Sequence, residues 1–255
     1  LYKLYLYLYT ISLMNKISLS VVAPAYNESA SIKKILDEWF SYLMNSEFIS
    51  DYEVIITNDG STDSTLEILE SVKLNNKNLK IIDFKKNKGA ATALYTAIDN
   101  ASHDWILLMD SDGQYPIHYL ESMFNILNLD KNIDCVFGSR IKKDGSLLER
   151  IGSRSSSLIC NLFYQSNIKD FSSIFKLVKS DILKNINLEA KGMNYSVDIT
   201  AKLFEAKTRN SEIFVESNLR IGGNSNIKFL RDGFRRVLFL SYLFLRKILI
   251  KLNIL

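Results

Sequence analysis

The sequence is short of the residues that staple or punctuate a chain. Its 255 residues include two cysteines, two histidines, two prolines and ten glycines. Cys135 and Cys160 do not form a CxxC pair, and two histidines cannot complete a Cys/His zinc site with them. They read as buried thiols of a reducing compartment. So few glycines and prolines exclude a collagen-like or low-complexity chain. No stretch reaches the ~18 apolar residues that a membrane-spanning helix needs. The longest apolar runs are 4–14, broken by Thr10 and Ser12, and 237–245. Charge of one sign is lacking too: 32 basic and 28 acidic residues leave +4, too little by itself to imply nucleic-acid binding. What remains is a chain 47% hydrophobic and 24% charged, which excludes disorder and suits one large α/β domain.

From Ile17 onward, apolar runs alternate with helical spacing. Strands are expected at 17–24, 52–57, 79–84, 104–112 and 133–140. Helices are expected at 30–44, 64–73, within 87–101 and after Pro116. The second half is less regular, with helices near 150–165, 180–186 and 195–206 and strands near 171–178 and 211–217. Strands alternating with helices, without hairpin signals, predict a mostly parallel sheet covered on both faces. Residues 1–14 read as an N-terminal extension, 15–227 as one domain, and 228–255 as a basic and apolar helix. Lys3 alone, with no small-residue cleavage site, argues against a signal peptide.

Ligands of such sheets bind beyond the carboxyl ends of the strands. Four predicted strand ends carry polar clusters: 26–28, Asn58-Asp59, Asp110-Ser111-Asp112 and Ser139-Arg140. Period-2 geometry would put the Asp110 and Asp112 carboxylates on one side of an extended strand. Two adjacent hard oxygen ligands suit Mg²⁺ or Mn²⁺, and the Gln114 amide could add a third. The sequence has no GxGxxG after the first strand, no P-loop and no GxSxG, so any nucleotide site would use carboxylates and metal.

VVAPAYNE (21–28), IITNDGSTDST (55–65), the N-x-G of Asn87–Gly89, MDSDGQYP (109–116) and GSR (138–140) occur in an order and spacing that resembles the family 2 glycosyltransferases with the GT-A fold. The subgroup it looks most like is the dolichol-phosphate mannosyltransferase and polyprenyl-phosphate glycosyltransferase group. The resemblance implies a Rossmann-like three-layer sandwich and roles for matching residues. Pro24, Tyr26 and Glu28 would line a nucleoside pocket; Thr57 and Asp59 would hold base and ribose. Asp110, Ser111, Asp112 and Gln114 would carry the donor diphosphate and its metal. Arg140, beside Asp112 in the catalytic set, would approach a phosphate. Arg150, Arg154, Arg220 and Lys228 would place an acceptor phosphate, and Asp198 would orient an arginine. Three positions depart from the pattern: Asn58 for a usual Asp, Ile174 for a Gly, and Asn226 for a Lys, with Lys228 close by.

The activity so implied is inverting transfer of a sugar from a UDP- or GDP-linked donor to a polyprenyl phosphate. An ionised phosphate acceptor needs no strong base, and neither His103 nor His118 has a partner that would make it one. A hydroxyl acceptor on a surface polysaccharide or glycolipid is the alternative. A nucleotidyltransferase would want a basic glycine-rich loop after the first strand, which is absent; a non-catalytic relative would not need Asp59, Asp110 and Asp112. Residues 228–251 carry seven basic residues against Asp232, around the apolar VLFLSYLFL. They read as an interfacial anchor whose basic residues face anionic lipid. That places the chain peripherally on the cytoplasmic face of a membrane, with no nucleic-acid partner.

Overall fold

The computed structural model describes residues 16–141, 147–220 and 229–251, with side chains omitted at 147–153, 229–233 and 250–251. The expectations for 1–14, for Lys228 and Asn226, and for the Arg150 side chain lie outside the described residues.

Seven strands form one sheet: β1 (Ile17–Ala25), β2 (Ile49–Asn58), β3 (Leu79–Asp83), β4 (Trp105–Leu108), β5 (Cys135–Arg140), β6 (Lys176–Lys179) and β7 (Asn210–Val215). Their order is β3-β2-β1-β4-β6-β5-β7. Pairings β1–β2, β1–β4, β2–β3 and β5–β7 are parallel, as the sequence predicts for the first half. β6 is inserted antiparallel between β4 and β5. Four residues long, it carries little period-2 signal of its own. The expected α/β, mostly parallel architecture is therefore present, with that one reversal.

The helices are α1 (Ile32–Met44), α2 (Thr65–Asn75), α3 (Ala90–Asp99), α4 (Leu120–Leu129), α5 (Leu147–Tyr164), α6 (Ser180–Asn185), α7 (Tyr195–Glu205) and α8 (Phe229–Lys251). α1 buries Ile32, Ile35, Leu36, Trp39, Phe40 and Leu43, the stripe read from its spacing. α3 packs on β1 and β2 with Ala91, Leu94, Ala97 and Ile98 buried, and the small alanines among them let helix and sheet approach. At the end away from the strand C-termini, buried Glu53 ties three strands together. It accepts from Ser20 Oγ (2.6 Å), from Ser102 N and Oγ (2.6 and 2.7 Å), and meets Lys80 Nζ at 2.5 Å. Burial alone would raise its pKa, but these donors outweigh it and hold it at about 2.

α8 is docked rather than free. Leu243 is 1% exposed, the rings of Phe163 of α5 and Phe244 meet tilted with centroids 3.9 Å apart, and Lys247 Nζ donates to the Phe163 carbonyl (2.8 Å). Arg246 reaches Glu205 (3.1 Å), and Arg236 donates to Ser172 Oγ (2.8 Å). Three basic residues expected to face lipid thus face the domain, where a half-buried carboxylate, a hydroxyl and a carbonyl offer them partners. The other face of α8 exposes Phe234, Val237, Leu238, Leu245 and Ile248, and α5, against which α8 packs, exposes Leu158, Ile159 and Leu162. Among the described residues no helix is long and apolar enough to cross a membrane.

Candidate active site

The polar strand ends converge at one edge of the sheet. β1 and β2 end together, where Asp59 N donates to the Ala25 carbonyl (2.8 Å). Asn27 takes a left-handed conformation (φ 56°), accepts from Thr62 N (2.8 Å), and its N–H donates to Ser61 Oγ (3.0 Å). Gly60 has φ +68°, and a Cβ there would lie 2.5 Å from Asn87 N. Only glycine lets the 58–61 turn pass so close to the 86–87 backbone.

Asp59 is buried and accepts from Lys88 N (2.7 Å) and Gly89 N (2.9 Å). Burial raises its pKa and those N–H groups oppose the rise. Asn58 is explained by its neighbours. Its Nδ2 donates to Asp83 Oδ1 (2.7 Å) while its Oδ1 accepts from Ser61 Oγ (2.5 Å). An Asp here would confront Asp83 with a second carboxylate.

β4 stops at Leu108, earlier than expected, and Ser111-Asp112 form a turn. The pair is therefore not aligned by strand pleat, contrary to the period-2 argument. It is held by side-chain contacts instead. Ser111 Oγ donates to the Pro24 carbonyl (2.7 Å), so this hydroxyl is spent on joining the turn to β1. Asp112 Oδ1 accepts from Gln114 N (3.0 Å), and the Gln114 carbonyl accepts from Asn218 N (2.9 Å). Asp110 Oδ1 accepts from the Tyr195 hydroxyl (3.0 Å). Burial and then the neighbouring Asp112 push the Asp110 pKa up; burial does the same for Asp112.

Arginines answer these acids. Arg140 donates its Nε to Asp170 Oδ2 (2.7 Å) and its guanidinium lies 6.0 Å from the Tyr115 ring centre. Arg220 pairs with Glu28 and lies 3.8 Å from Asp112 Oδ2, which puts it beside the Asp110–Asp112 turn. Burial raises the Glu28 pKa and Arg220 opposes this. Arg154 is exposed on α5, with no hydrogen bond to the Asp110–Asp112 turn among the described residues. Asp198 orients no arginine: its Oδ2 accepts from Glu189 N (2.6 Å), Ala190 N (2.7 Å) and the Tyr95 hydroxyl (3.2 Å). Lys176, fully buried, donates to the Ser173 carbonyl, and burial drives its pKa down to about 7. Ile174 is buried, filling space that the expected glycine would leave.

A cavity of about 300 Å³ opens here, lined by Tyr26, Asp59, Asn87, Gly89, Ala90, Lys191–Asn194 and Arg235. Pro24, Glu28 and Thr57 do not line it; Thr57 is wholly buried, with no partner for its hydroxyl. A groove of about 550 Å³ continues from Lys191 and Arg235 along Leu238, Phe239 and Tyr242 of α8. The wall at 191–194 and the residues Tyr195 and Arg235 escaped a reading based on strand ends, since they come from a turn and helices late in the chain. Their one sequence signal was the NYSVD segment.

Asp110, Ser111, Asp112, Gln114 and Arg140 do not line the cavity either; two carboxylates on a turn, with Arg220 beside them, still suit a divalent cation completed by phosphate oxygens. No cluster of three or more His, Cys, Asp or Glu occurs among the described residues, so the protein's acidic share of such a site would be Asp110 and Asp112.

Comparison with known proteins bears on the fold and the family. The Bacillus subtilis (strain 168) protein CsbB, which carries a glycosyltransferase name, is 24% identical over 212 residues, 83% of this chain and 62% of its own. The poly-beta-1,6-N-acetyl-D-glucosamine synthase of Staphylococcus epidermidis is 29% identical over 178 residues, 66% of this chain and 41% of its own. This chain thus spans less than two thirds of either relative. Among solved structures, the glucosyl-3-phosphoglycerate synthase of Mycobacterium tuberculosis superposes with a TM-score of 0.68 at 16% identity, covering 89% of this chain and 80% of that one. The mannosyl-3-phosphoglycerate synthase of Rubrobacter xylanophilus gives 0.69 at 14% identity, covering 91% and 74%. The sequence model of Glycosyl transferase family 2 matches residues 20–186, more than half of the chain, and the protein belongs to that family.

Proposed function

We propose that the protein transfers a sugar from a nucleoside-diphosphate sugar to a polyprenyl phosphate, with inversion at the anomeric carbon. Tyr26, Asp59 and Gly89 face the cavity that would receive the nucleoside. Gly89 has φ +93° and open space where a side chain would stand, so a ligand can approach its backbone. Asp110 and Asp112 would hold Mg²⁺ or Mn²⁺; the mycobacterial synthase was solved with Mn²⁺ and UDP. Such a cation supplies neutralisation of the charge on the departing diphosphate. Arg140 and Arg220 add positive potential beside the same turn, which favours the leaving group electrostatically.

The choice of acceptor rests on one observation: the carboxylates around the turn are engaged. Glu28 is paired with Arg220 and Asp170 with Arg140, while Asp59 and Asp198 hold backbone N–H groups. None of these four stands ready to deprotonate a hydroxyl, whereas an ionised phosphate needs only cations to place it. Arg140, Arg220 and Arg236 are such cations. The polysaccharide-synthase name of the staphylococcal relative favours a second reading, a hydroxyl acceptor. The apolar face shared by α5 and α8 would rest on a membrane surface, where a polyprenyl phosphate resides. A panel of UDP- and GDP-sugars, assayed with a short polyprenyl phosphate and Mn²⁺, tests the reading. Lipid-linked sugar from one donor is expected; sugar appearing only in a polysaccharide product overturns the acceptor.

A further inference from the structure

Asp110 follows the end of β4, where the sheet no longer fixes side-chain direction. Something else must hold it, and Tyr195 is in contact. The ring is 5% exposed, and its hydroxyl donates to Asp110 Oδ1 at 3.0 Å. A Phe could fill this space but would offer Oδ1 no donor. The partner aspartate is held in a matching way, with Asp112 Oδ1 accepting from Gln114 N at 3.0 Å. One oxygen of each carboxylate is thus occupied by a neutral donor, and a cation would meet Oδ2 of each, sharing Asp112 Oδ2 with Arg220. Arg220 stands 3.8 Å from Asp112 Oδ2.

The base of Tyr195 is itself braced. It opens α7 directly after the Gly192–Asn194 turn that walls the cavity. Asn194 Oδ1 accepts from Arg236 Nε (3.3 Å), and its Nδ2 donates to the Arg235 carbonyl (3.4 Å). One turn further along α7, Asp198 captures the backbone N–H groups of Glu189 and Ala190. The hydroxyl is therefore presented from a segment fixed on both sides.

We infer that Tyr195 is a positioning residue that orients Asp110 for a divalent cation; this rests on reading Asp110 and Asp112 as the cation site. Partners that orient metal ligands typically change metal affinity by roughly 10–100-fold when removed. The test is Tyr195→Phe in the full chain. Mn²⁺ binding is followed by the electron paramagnetic resonance signal of free Mn²⁺, alone and with UDP or GDP. The expected result is Mn²⁺ binding weakened about tenfold, with metal-free nucleotide binding and melting temperature unchanged. In the transfer assay, kcat should recover at excess Mn²⁺ while the half-saturating Mn²⁺ concentration rises, a split that general loss of structure would not produce. Unchanged Mn²⁺ affinity in the folded variant, or a loss that excess Mn²⁺ does not rescue, overturns the role of Tyr195 alone. A wild-type chain that binds no Mn²⁺ even with nucleotide overturns the cation site and the role of Tyr195 together.

Discussion

Replacing Asp112 by Asn keeps the side chain's shape and its bond from Gln114 N but removes its charge. Turnover is expected to fall at least ~10²-fold, with the melting temperature held, since electrostatic stabilisers commonly contribute that much. A folded Asp112→Asn protein with wild-type turnover would refute the role. Asn58→Asp is expected to act on stability instead. It sets two carboxylates against each other across 2.7 Å, in place of an amide donor and its acceptor. The loss should be about 1–3 kcal/mol in urea unfolding at pH 7, shrinking as pH falls and the carboxylates protonate. Glu53 gives a pH dependence of defined sign. Its pKa is about 2 in the fold against an ordinary 4.5, so its stabilisation is complete above about 4.5 and is lost as pH falls towards 2. The melting-temperature gap between wild type and Glu53→Gln should be widest near neutrality and narrow below that range. A gap independent of pH would contradict the assignment.

At the scale of elements, β1, β2, β3, β5 and the amphipathic helices were legible because burial imposes a period on sequence. α1 shows this, since every apolar residue of its stripe is buried. β6 was legible as a strand but not as antiparallel: direction depends on what precedes it in space, and Lys176–Lys179 carries no mark of it. The end of β4 was misplaced because Met109 continues the apolar run while the backbone turns. In the site, the NDGSTD and DSD segments announced Asp59, Asp110 and Asp112, whereas Tyr195 entered through a contact 85 residues away in sequence. α8 is the element where composition misled most. Its basic residues suggested lipid contact, yet Arg236, Arg246 and Lys247 bond to the domain, and the exposed apolar face is what remains for a membrane. Truncating α8 would also remove Arg235 from the cavity wall. Leu162→Glu with Leu245→Glu, both on exposed positions, is the cleaner change. Co-sedimentation with anionic liposomes should fall several-fold for this double variant while binding of soluble nucleotide persists. Equal pelleting of both proteins would assign the face to something other than lipid.

Across the whole molecule, the sheet brings the 59–61 turn, the 110–112 turn and Arg140 to one edge, and the late elements α7 and α8 close over it. On the proposed reading the donor would meet the 59–61 and 110–112 turns together with the 191–194 wall and Arg235, and the acceptor would meet Arg140, Arg220 and Arg236. An acceptor with its own negative charge would suit those arginines, whereas Glu28, Asp59, Asp170 and Asp198, already engaged, would serve a neutral alcohol poorly as bases. One comparison bears directly on this. With the preferred nucleotide sugar and Mn²⁺, the full chain is given a short polyprenyl phosphate or the corresponding prenol at equal concentration, and labelled sugar is counted in the organic phase. Label should pass to the phosphate, vanish with chelator, and be at or near background with the prenol. Equal transfer to both acceptors, or transfer to the prenol alone, would contradict the acceptor chemistry derived from the paired carboxylates.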